Sequence, residues 1–272
     1  MQPMGLRFSD EALPAAYDRL FTASFLGPWA RALIDAVGVQ PGDAVLDVAT
    51  GPGTVARVAA ARAGTSGRVV GIDLSAPMLE VARSKPGEPG AAPIDFVQRS
   101  AYDLQLPDGS FDVVLCQQGL QYFPDQIAAL REMRRVLKPG GHVGIAVWGK
   151  GYGRDIEQVL SECLRRVGAK EPTYPTFGTR PDDLVGALSD VGFVSVRCDE
   201  RTLEIRLSGG MEELLEGWGG GPMRAELMAL APERAPQFRD CVSRRLSRFT
   251  YQNVLTTPSV ARLAVATAPT PA

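Results

Sequence analysis

The stretch AVLDVATGPGT, residues 44–54, decides how the rest of the chain is read. Residues 44–49 form a near-continuous apolar run broken by a single acid, Asp47, the composition of a parallel strand buried on both faces. Gly51 and Gly53 follow, and without a Cβ each lets the backbone come close to a bound molecule. Val55, Val58, Ala59 and Arg62 then recur at helical spacing as far as Gly64. The amides that open such a helix point at whatever the loop holds. A strand that carries a carboxylate to a glycine turn ahead of a helix is a seat for a polar small molecule.

With Ala56, the glycines fit the G-x-G-x-x-A form of dinucleotide-binding loops. Asp73, at the end of a second strand over residues 68–73, stands where an acid binds ribose hydroxyls. Two ligand classes answer to that pattern: a nicotinamide or flavin dinucleotide, and another adenosine-bearing cofactor. Asp47 and Pro52 separate them. Like charges roughly 4 Å apart repel by on the order of 4 kcal/mol at an effective dielectric of about 20, so Asp47 disfavours a pyrophosphate. Pro52 removes a backbone N–H where a phosphate would want donors. A ligand with an ammonium group and no phosphate suits both residues. S-adenosylmethionine, an adenosine joined to methionine through a cationic sulfonium, is such a ligand.

Around this loop strands and helices alternate. Ser75 caps a helix with Pro77 near its start, followed by Met78, Leu79, Val81 and Ala82. Residues 94–97 read as a third strand, and 112–116 as a fourth, announced by the turn Asp108-Gly109-Ser110. Pro124 and Asp125 open a helix bearing Ile127, Leu130, Met133 and Leu137, which KPGG at 138–141 ends. Residues 142–148 are a fifth strand. The alternation predicts an α/β fold, doubly wound around a mostly parallel sheet.

Beyond Trp148 the order is less regular. Ile156, Val159, Leu160, Cys163, Leu164 and Val167 make an amphipathic helix closed by Gly168, and Pro181 opens another with Leu184, Val185 and Leu188. Residues 193–207 alternate like a strand, 209–250 read as helices broken by a hinge at 219–222, and 259–267 form a last strand before a loose tail.

The segments VLDVATGPG, GIDLSAPMLEVAR, LQLPDGSFDVVLCQQGLQYFPD and LREMRRVLKPGGHVGIAVW stand in this order along the chain. In them the chain resembles the class I S-adenosylmethionine-dependent methyltransferases, of the small-molecule type related to the ubiquinone/menaquinone C-methyltransferases. The resemblance is clear over residues 17–148 and weaker beyond. It implies a Rossmann-like methyltransferase fold with a seven-stranded sheet and helical N-terminal and C-terminal lid segments. Residues 1–272 would form one domain, with a core over 30–207 and 255–268 and a lid from 1–29 and 208–252.

Carried over residue by residue, the resemblance implies that Ala49, Thr50, Gly51 and Gly53 line the methionine part of the cofactor, with Asp47 at its ammonium end. Asp73 takes the ribose hydroxyls, while Leu74 and Met78 pack on adenine. Ser100, Ala101 and Tyr102 border the adenine edge, Cys116 and Gln117 the sulfonium, and Tyr17 closes over the whole. Position 100 departs from the family, which usually has an aspartate there; a serine hydroxyl accepts without charge assistance. Plainer readings stand beside these. Asp47 would also serve as a strand-end cap, Asp73 as an acid favoured by a helix dipole, Met78 as core and Ser100 as a loop residue.

In methyl transfer the cofactor carries the hard chemistry, and alignment alone can supply roughly 7–11 kcal/mol. A catalytic base is therefore optional, and none announces itself. Gln118, Gln121 and Tyr122 follow the fourth strand and Trp148 ends the fifth, where open α/β sheets hold their ligands; these four are expected to face the substrate. The glutamines are neutral and suited to orienting it. His142, the only histidine, starts the fifth strand at the wrong end for catalysis. Met211, Leu214, Leu215 and Trp218 read as core, and Arg239, Arg244, Arg245 and Arg248 as a solvated helix face.

Hydrophobic residues at 45% and charged residues at 22% of 272 describe an ordinary globular chain. A net charge of -2 argues against nucleic acid or anionic membrane as partner. No basic-then-apolar start and no membrane-length apolar run is visible, so a cytoplasmic location is expected. Cys116, Cys163, Cys198 and Cys241 are widely spaced without a C-x-x-C pair, which predicts free thiols, and a single histidine predicts no metal site. The expected function is methyl transfer from S-adenosylmethionine to an O, C or N atom of a small, largely apolar metabolite: a quinone, a phenol or a polyketide-like product of secondary metabolism. The alternatives are a non-methylating cyclisation or elimination on the same cofactor and a NAD-dependent dehydrogenase.

Overall fold

In the computed structural model, which describes residues 15, 17–149, 154–171, 177–178, 180–219 and 224–270, the apolar run after Asp43 is strand β1 (Ala44–Val48), buried throughout. Successive side chains point to opposite faces of a strand. Val45 accordingly joins one core, and Ala44, Leu46 and Val48 the other. Strands β2 (Arg68–Asp73), β3 (Ile94–Gln98), β4 (Phe111–Gln117), β5 (Leu137–Trp148), β6 (Val194–Leu207), β7 (Thr250–Tyr251) and β8 (Val254–Thr267) complete one sheet. Its order is β3-β2-β1-β4-β5-β8-β6, with β7 paired to β8. The first five strands are parallel, and β8 runs antiparallel between β5 and β6. The chain winds outward from β1 to β3, then returns to β1's other side with β4. That reversal leaves a crevice at the carboxyl ends of β1 and β4.

Helices α1 (Gly27–Val37), α2 (Thr54–Ala63), α3 (Ala76–Ser84), α4 (Gln126–Val136), α5 (Arg154–Arg166), α6 (Pro181–Asp190), α7 (Gly210–Gly219), α8 (Arg224–Met228) and α9 (Ala235–Leu246) flank the sheet. Helices α1, α2, α5, α7 and α9 supply the core on one face, α4 and α6 on the other. The expected start signals operate: the Ser75 hydroxyl accepts the Met78 N–H at the start of α3, and the Asp125 carboxylate accepts the Ala128 N–H at 2.9 Å at the start of α4. Ahead of α1, residues Tyr17–Leu26 form a π-helical stretch, a form usually confined to single turns and often found at functional sites.

Several expectations need correction. The sheet has eight strands rather than seven, because β7 folds back on β8 through Gln252 and Asn253, with φ of 47° and 63°. Two left-handed residues in a two-residue connection are the mark of a tight hairpin. KPGG does not end α4 ahead of a strand at 142; β5 begins at Leu137, and the residues between bulge out where the register shifts from Phe111↔Leu137 to Val113↔His142. β8 begins at Val254 and runs through Pro258, which lies beyond the part of β8 that β5 covers and so costs that ladder nothing. Cys163 and Cys241 are not free: they form a disulfide between α5 and α9, their Cα atoms 5.7 Å apart. Cys116 and Cys198 remain free. Residues 220–222 of the expected hinge, residues 1–14 and 16 of the expected lid, the last two tail residues and the Trp218 side chain lie outside the described residues. Among the described residues no helix is long and apolar enough to cross a membrane, and no cluster of three or more His, Cys, Asp or Glu is placed to hold a metal ion.

Candidate functional site

A cavity of about 280 Å³ fills the crevice between β1 and β4. Its floor is the loop Ala49–Pro52 and the first turn of α2, with Thr54 and Val55. One side is Asp73, Leu74, Ser75 and Met78, from the end of β2 into α3. The other is Gln117, Gln118 and Gly119 after β4, with Tyr122, Phe123 and Trp148; Tyr17 and Leu26 close the top. A larger groove of about 940 Å³ lies along the β3 edge between α2 and α3. It is away from the topological switch point, and volume alone does not make it the site.

The backbone at the switch point is unusual. Ala49 follows β1 and Gln118 follows β4, both left-handed at φ 59° and 49°, a conformation that costs a residue with a side chain roughly 1–2 kcal/mol. Gly119 lets these two turns meet: a Cβ there would lie 2.8 Å from the Ala49 Cβ and 3.0 Å from the Cys116 Sγ. Gly53 is required for packing as well as for its φ of 82°, since a Cβ would sit 2.8 Å from the Phe96 ring. Gly51 differs. Nothing lies within 4 Å of where its Cβ would be, so bare backbone faces the cavity.

Two carboxylates organise the floor. Asp47 is 1% exposed, and its Oδ2 accepts the Thr50 hydroxyl at 2.6 Å and the Ala56 N–H at 3.0 Å, while Oδ1 has no partner among the described residues. Burial pushes its pKa up to about 7, against the pull of those two hydrogen bonds. Asp73 lies on the wall itself. Its Oδ2 accepts the Gly51 N–H and its Oδ1 the Ser75 N–H, each at 2.8 Å. Burial raises the Asp73 pKa, and these amides oppose the rise. An ionised carboxylate has about four lone-pair sites, so two amides leave room for two hydroxyls.

The top is tied down at both ends. Asp18 forms an ion pair with Lys85, which also donates to the Pro52 carbonyl at 3.1 Å. At the other end the Ser24 hydroxyl donates to Glu213 of α7 at 2.7 Å. Burial, then the nearby Tyr122, Asp73 and Asp18, raise the Tyr17 pKa well above its ordinary value, so its hydroxyl keeps its proton.

The glutamines after β4 are in three different states. Gln117 donates from Nε2 to the Leu26 carbonyl at 3.0 Å, and Gln121 accepts the Trp148 N–H at 2.7 Å. Both amide atoms of Gln118 are buried without a partner among the described residues. Trp148 is steadied by an edge-on Trp29 with ring centroids 6.4 Å apart, and Trp29 donates to Ser259 at 3.1 Å.

Of the residues singled out from the sequence, the cavity brings together Tyr17, Ala49, Thr50, Gly51, Asp73, Leu74, Met78, Gln117, Gln118, Tyr122 and Trp148. Asp47, Gly53, Ser100, Ala101, Tyr102, Cys116 and Gln121 do not line it. Asp47 and Gly53 stand behind the loop they shape. The Ser100 hydroxyl accepts the Tyr102 N–H at 3.2 Å within a local turn. Tyr102 accepts the Asp125 N–H at 3.2 Å and meets the cavity only through Phe123, against which its ring stands edge-on. Cys116 lies under Gly119, its thiol pushed up to about 12 by burial and by Asp47. Gln121 acts from behind, through Trp148. Leu26, Thr54, Val55, Ser75, Gly119 and Phe123 were not singled out. Phe123 and Gly119 belong to the CQQGLQYF run and were within reach of the sequence, whereas nothing local marks Leu26 as a wall. His142 is exposed, its Nδ1 3.3 Å from the Thr267 hydroxyl, where β5 first pairs with β8. Arg239, Arg244 and Arg245 pair with Glu212, Asp240 and Glu162. Leu214 and Leu215 are core, with Met211 packed on them.

Residues 46–145 match the family described as a methyltransferase domain. Over 210 residues the chain is 33% identical to the nocamycin O-methyltransferase of Saccharothrix syringae, spanning 71% of this chain and 74% of that protein. It is 34% identical to a ubiquinone/menaquinone biosynthesis C-methyltransferase of Xanthomonas campestris pv. campestris, over 70% of this chain and 79% of the other. The fold is also that of a Haemonchus contortus phosphoethanolamine N-methyltransferase solved with S-adenosylhomocysteine, with a TM-score of 0.57 at 20% identity, over 95% of this chain and 57% of that one. The chain belongs to the class I S-adenosylmethionine-dependent methyltransferases. Its cofactor is S-adenosylmethionine.

Proposed function

We propose that the protein moves a methyl group from S-adenosylmethionine to an oxygen or carbon atom of a small, largely apolar metabolite, with cofactor and acceptor meeting in the cavity between β1 and β4. The observation that carries this reading is the Asp73 carboxylate, held by the Gly51 and Ser75 amides and still able to accept two hydroxyls. A ribose diol fits that need. The bare backbone at Gly51 suits the amino-acid end of the cofactor, with the buried Asp47 carboxylate behind the loop acting on an ammonium group through space. Leu74 and Met78 form an apolar shelf for adenine.

When bound, the cofactor supplies an electrophilic methyl on a cationic sulfur. The residues of this chain hold and align. Asp73 and the loop fix one end, Gln117 and the turn at Gln118 border the reacting region, and Tyr17 and Leu26 exclude water from above. Among the described residues no histidine or lysine lines the cavity, and alignment rather than a strong base is the means of acceleration. The acceptor side is walled by Leu26, Phe123 and Trp148, which favours an apolar molecule such as a quinone, a phenol or a polyketide-like product. The π-helical stretch, through Tyr17 and Leu26, serves as the lid over it. The relatives named for nocamycin and for ubiquinone and menaquinone biosynthesis support both oxygen and carbon as acceptors.

The test is incubation with methyl-labelled S-adenosylmethionine and a panel of phenols, quinols and polyketide lactones, read by mass spectrometry. Label in a product, with S-adenosylhomocysteine released alongside, supports the reading. A rearranged acceptor of unchanged mass, with the cofactor intact, would replace it with a cyclisation or elimination.

A further inference from the structure

Lys85 joins three parts of the fold around the cavity without lining it. It follows the last turn of α3. Arg57 of α2 fixes its place, donating to the carbonyls of Ala82 at 2.6 Å, Lys85 at 3.1 Å and Pro86 at 2.8 Å. From that anchor the ammonium reaches two ways. It donates to the Pro52 carbonyl at 3.1 Å, in the middle of the glycine loop, and pairs with Asp18 on the π-helical stretch. Adjacent residues on a helix do not share a face, so Asp18 meets Lys85 while its neighbour Tyr17 closes the cavity.

The side chains of Lys85 and Asp18 are only 27% and 17% exposed, so water and salt screen them less than a surface pair. The other tie of the stretch, Ser24 to Glu213, is made to α7 and not to the loop. The Tyr17 end is thus held over the loop through one lysine. We propose that Lys85 is a positioning residue for methyl transfer: it clamps the Tyr17 end of the lid to the glycine loop, and parting of the Asp18–Lys85 pair is the step that frees S-adenosylhomocysteine. This rests on the reading of the cavity as the cofactor site. Lys85 touches no ligand there, and its effect runs through Tyr17 and Pro52. Lid opening and product release set the turnover of many enzymes, and here one ion pair governs both.

The test measures release of radiolabelled S-adenosylhomocysteine from the full chain into an excess of unlabelled ligand, with association measured alongside. Lys85→Met keeps an unbranched stem and removes the charge, and Asp18→Asn removes the charge at the lid. Each should release S-adenosylhomocysteine at least about tenfold faster than the wild-type protein, the scale of one hydrogen bond to a charged group, with association no slower. The double variant should match Lys85→Met within about twofold, because both remove the same contact. Lys85→Arg keeps the charge and the donors and should stay within about threefold of the wild-type rate. An unchanged release rate in Lys85→Met or Asp18→Asn overturns the proposal, as does a Lys85→Arg variant that releases as fast as Lys85→Met. Increases that multiply in the double variant overturn it by giving the two residues separate roles. Slower association with unchanged release overturns it by making Lys85 only a prop for the loop. Failure of S-adenosylhomocysteine to bind the wild-type protein is a distinct result, which removes the cofactor reading of the cavity and this proposal with it.

Discussion

Gly51 donates its backbone N–H to the Asp73 carboxylate at 2.8 Å, across 22 residues of sequence. The glycine loop after β1 and the acid that ends β2 are thus one unit, assembled before any ligand arrives. The ordering cost of the loop is met in folding, which leaves more of the contact energy for binding. Asp73 is therefore both part of the loop's scaffold and the group offered to the ligand.

Gly119 is where β4 can afford no side chain. A Cβ there would stand 2.8 Å from that of Ala49, and the two left-handed turns would have to part. Gly119→Ala should destabilise the protein by about 1–3 kcal/mol, the usual range for overpacking a tight site. Thermal unfolding measures it, and an unchanged midpoint would show that the strand ends move apart freely.

The sheet was legible because buried parallel strands are nearly unbroken apolar runs, as in residues 44–48 and 68–73. The glycine loop, Asp73 and the end of β4 were legible because their chemistry is local. What lay hidden depends on contacts between distant residues. Asp47 was read as facing the ligand, yet Thr50 and Ala56 turn its Oδ2 into the protein. Ser100 and Tyr102 are occupied by a turn and by Asp125. The Cys163–Cys241 pair, 78 residues apart, gives no sequence signal, because only the packing of α5 on α9 brings the thiols together. Nothing in the sequence of residues 17–26 announced a π-helix, although the resemblance placed Tyr17 over the cofactor.

Asp47 gives a pH dependence of known sign. Its folded pKa of about 7 lies above the ordinary carboxylate value because it is buried. Between about pH 4 and 7 the folded state therefore keeps a proton that the unfolded chain has released. This contribution to stability is fully present below about pH 4 and is lost as the pH rises through 7. A bound ammonium favours the charged carboxylate, so affinity for S-adenosylhomocysteine should rise between about pH 6 and 8. Asp47→Asn should flatten both trends, leaving the unliganded protein more stable at pH 8 and the cofactor more weakly held. Unfolding and binding curves at several pH values check this, and parallel curves for the two proteins would contradict it.

The disulfide can be counted. The chain has four cysteines, of which Cys116 and Cys198 are free. Denatured without reductant it should expose two reactive thiols, and all four after reduction. Cys163→Ser should lower stability by about 4.5 kcal/mol under oxidising conditions, the loop-closure value for a crosslink of this span. Four reactive thiols before reduction would contradict the pairing.

His142 sits where β5 first pairs with β8, remote from the cavity wall. His142→Ala should leave turnover within about twofold of the wild-type rate. A loss of about 100-fold or more, the scale on which a general base acts, would place the chemistry elsewhere.

The most direct test of the central claim is calorimetric titration of S-adenosylhomocysteine into the wild-type protein and Asp73→Ala. The Gly51–Asp73 unit should give one binding site per chain, with affinity lower by at least about tenfold in the variant, a difference of roughly 1.4 kcal/mol or more. Absence of binding to the wild-type protein, or equal affinity for both, would contradict it.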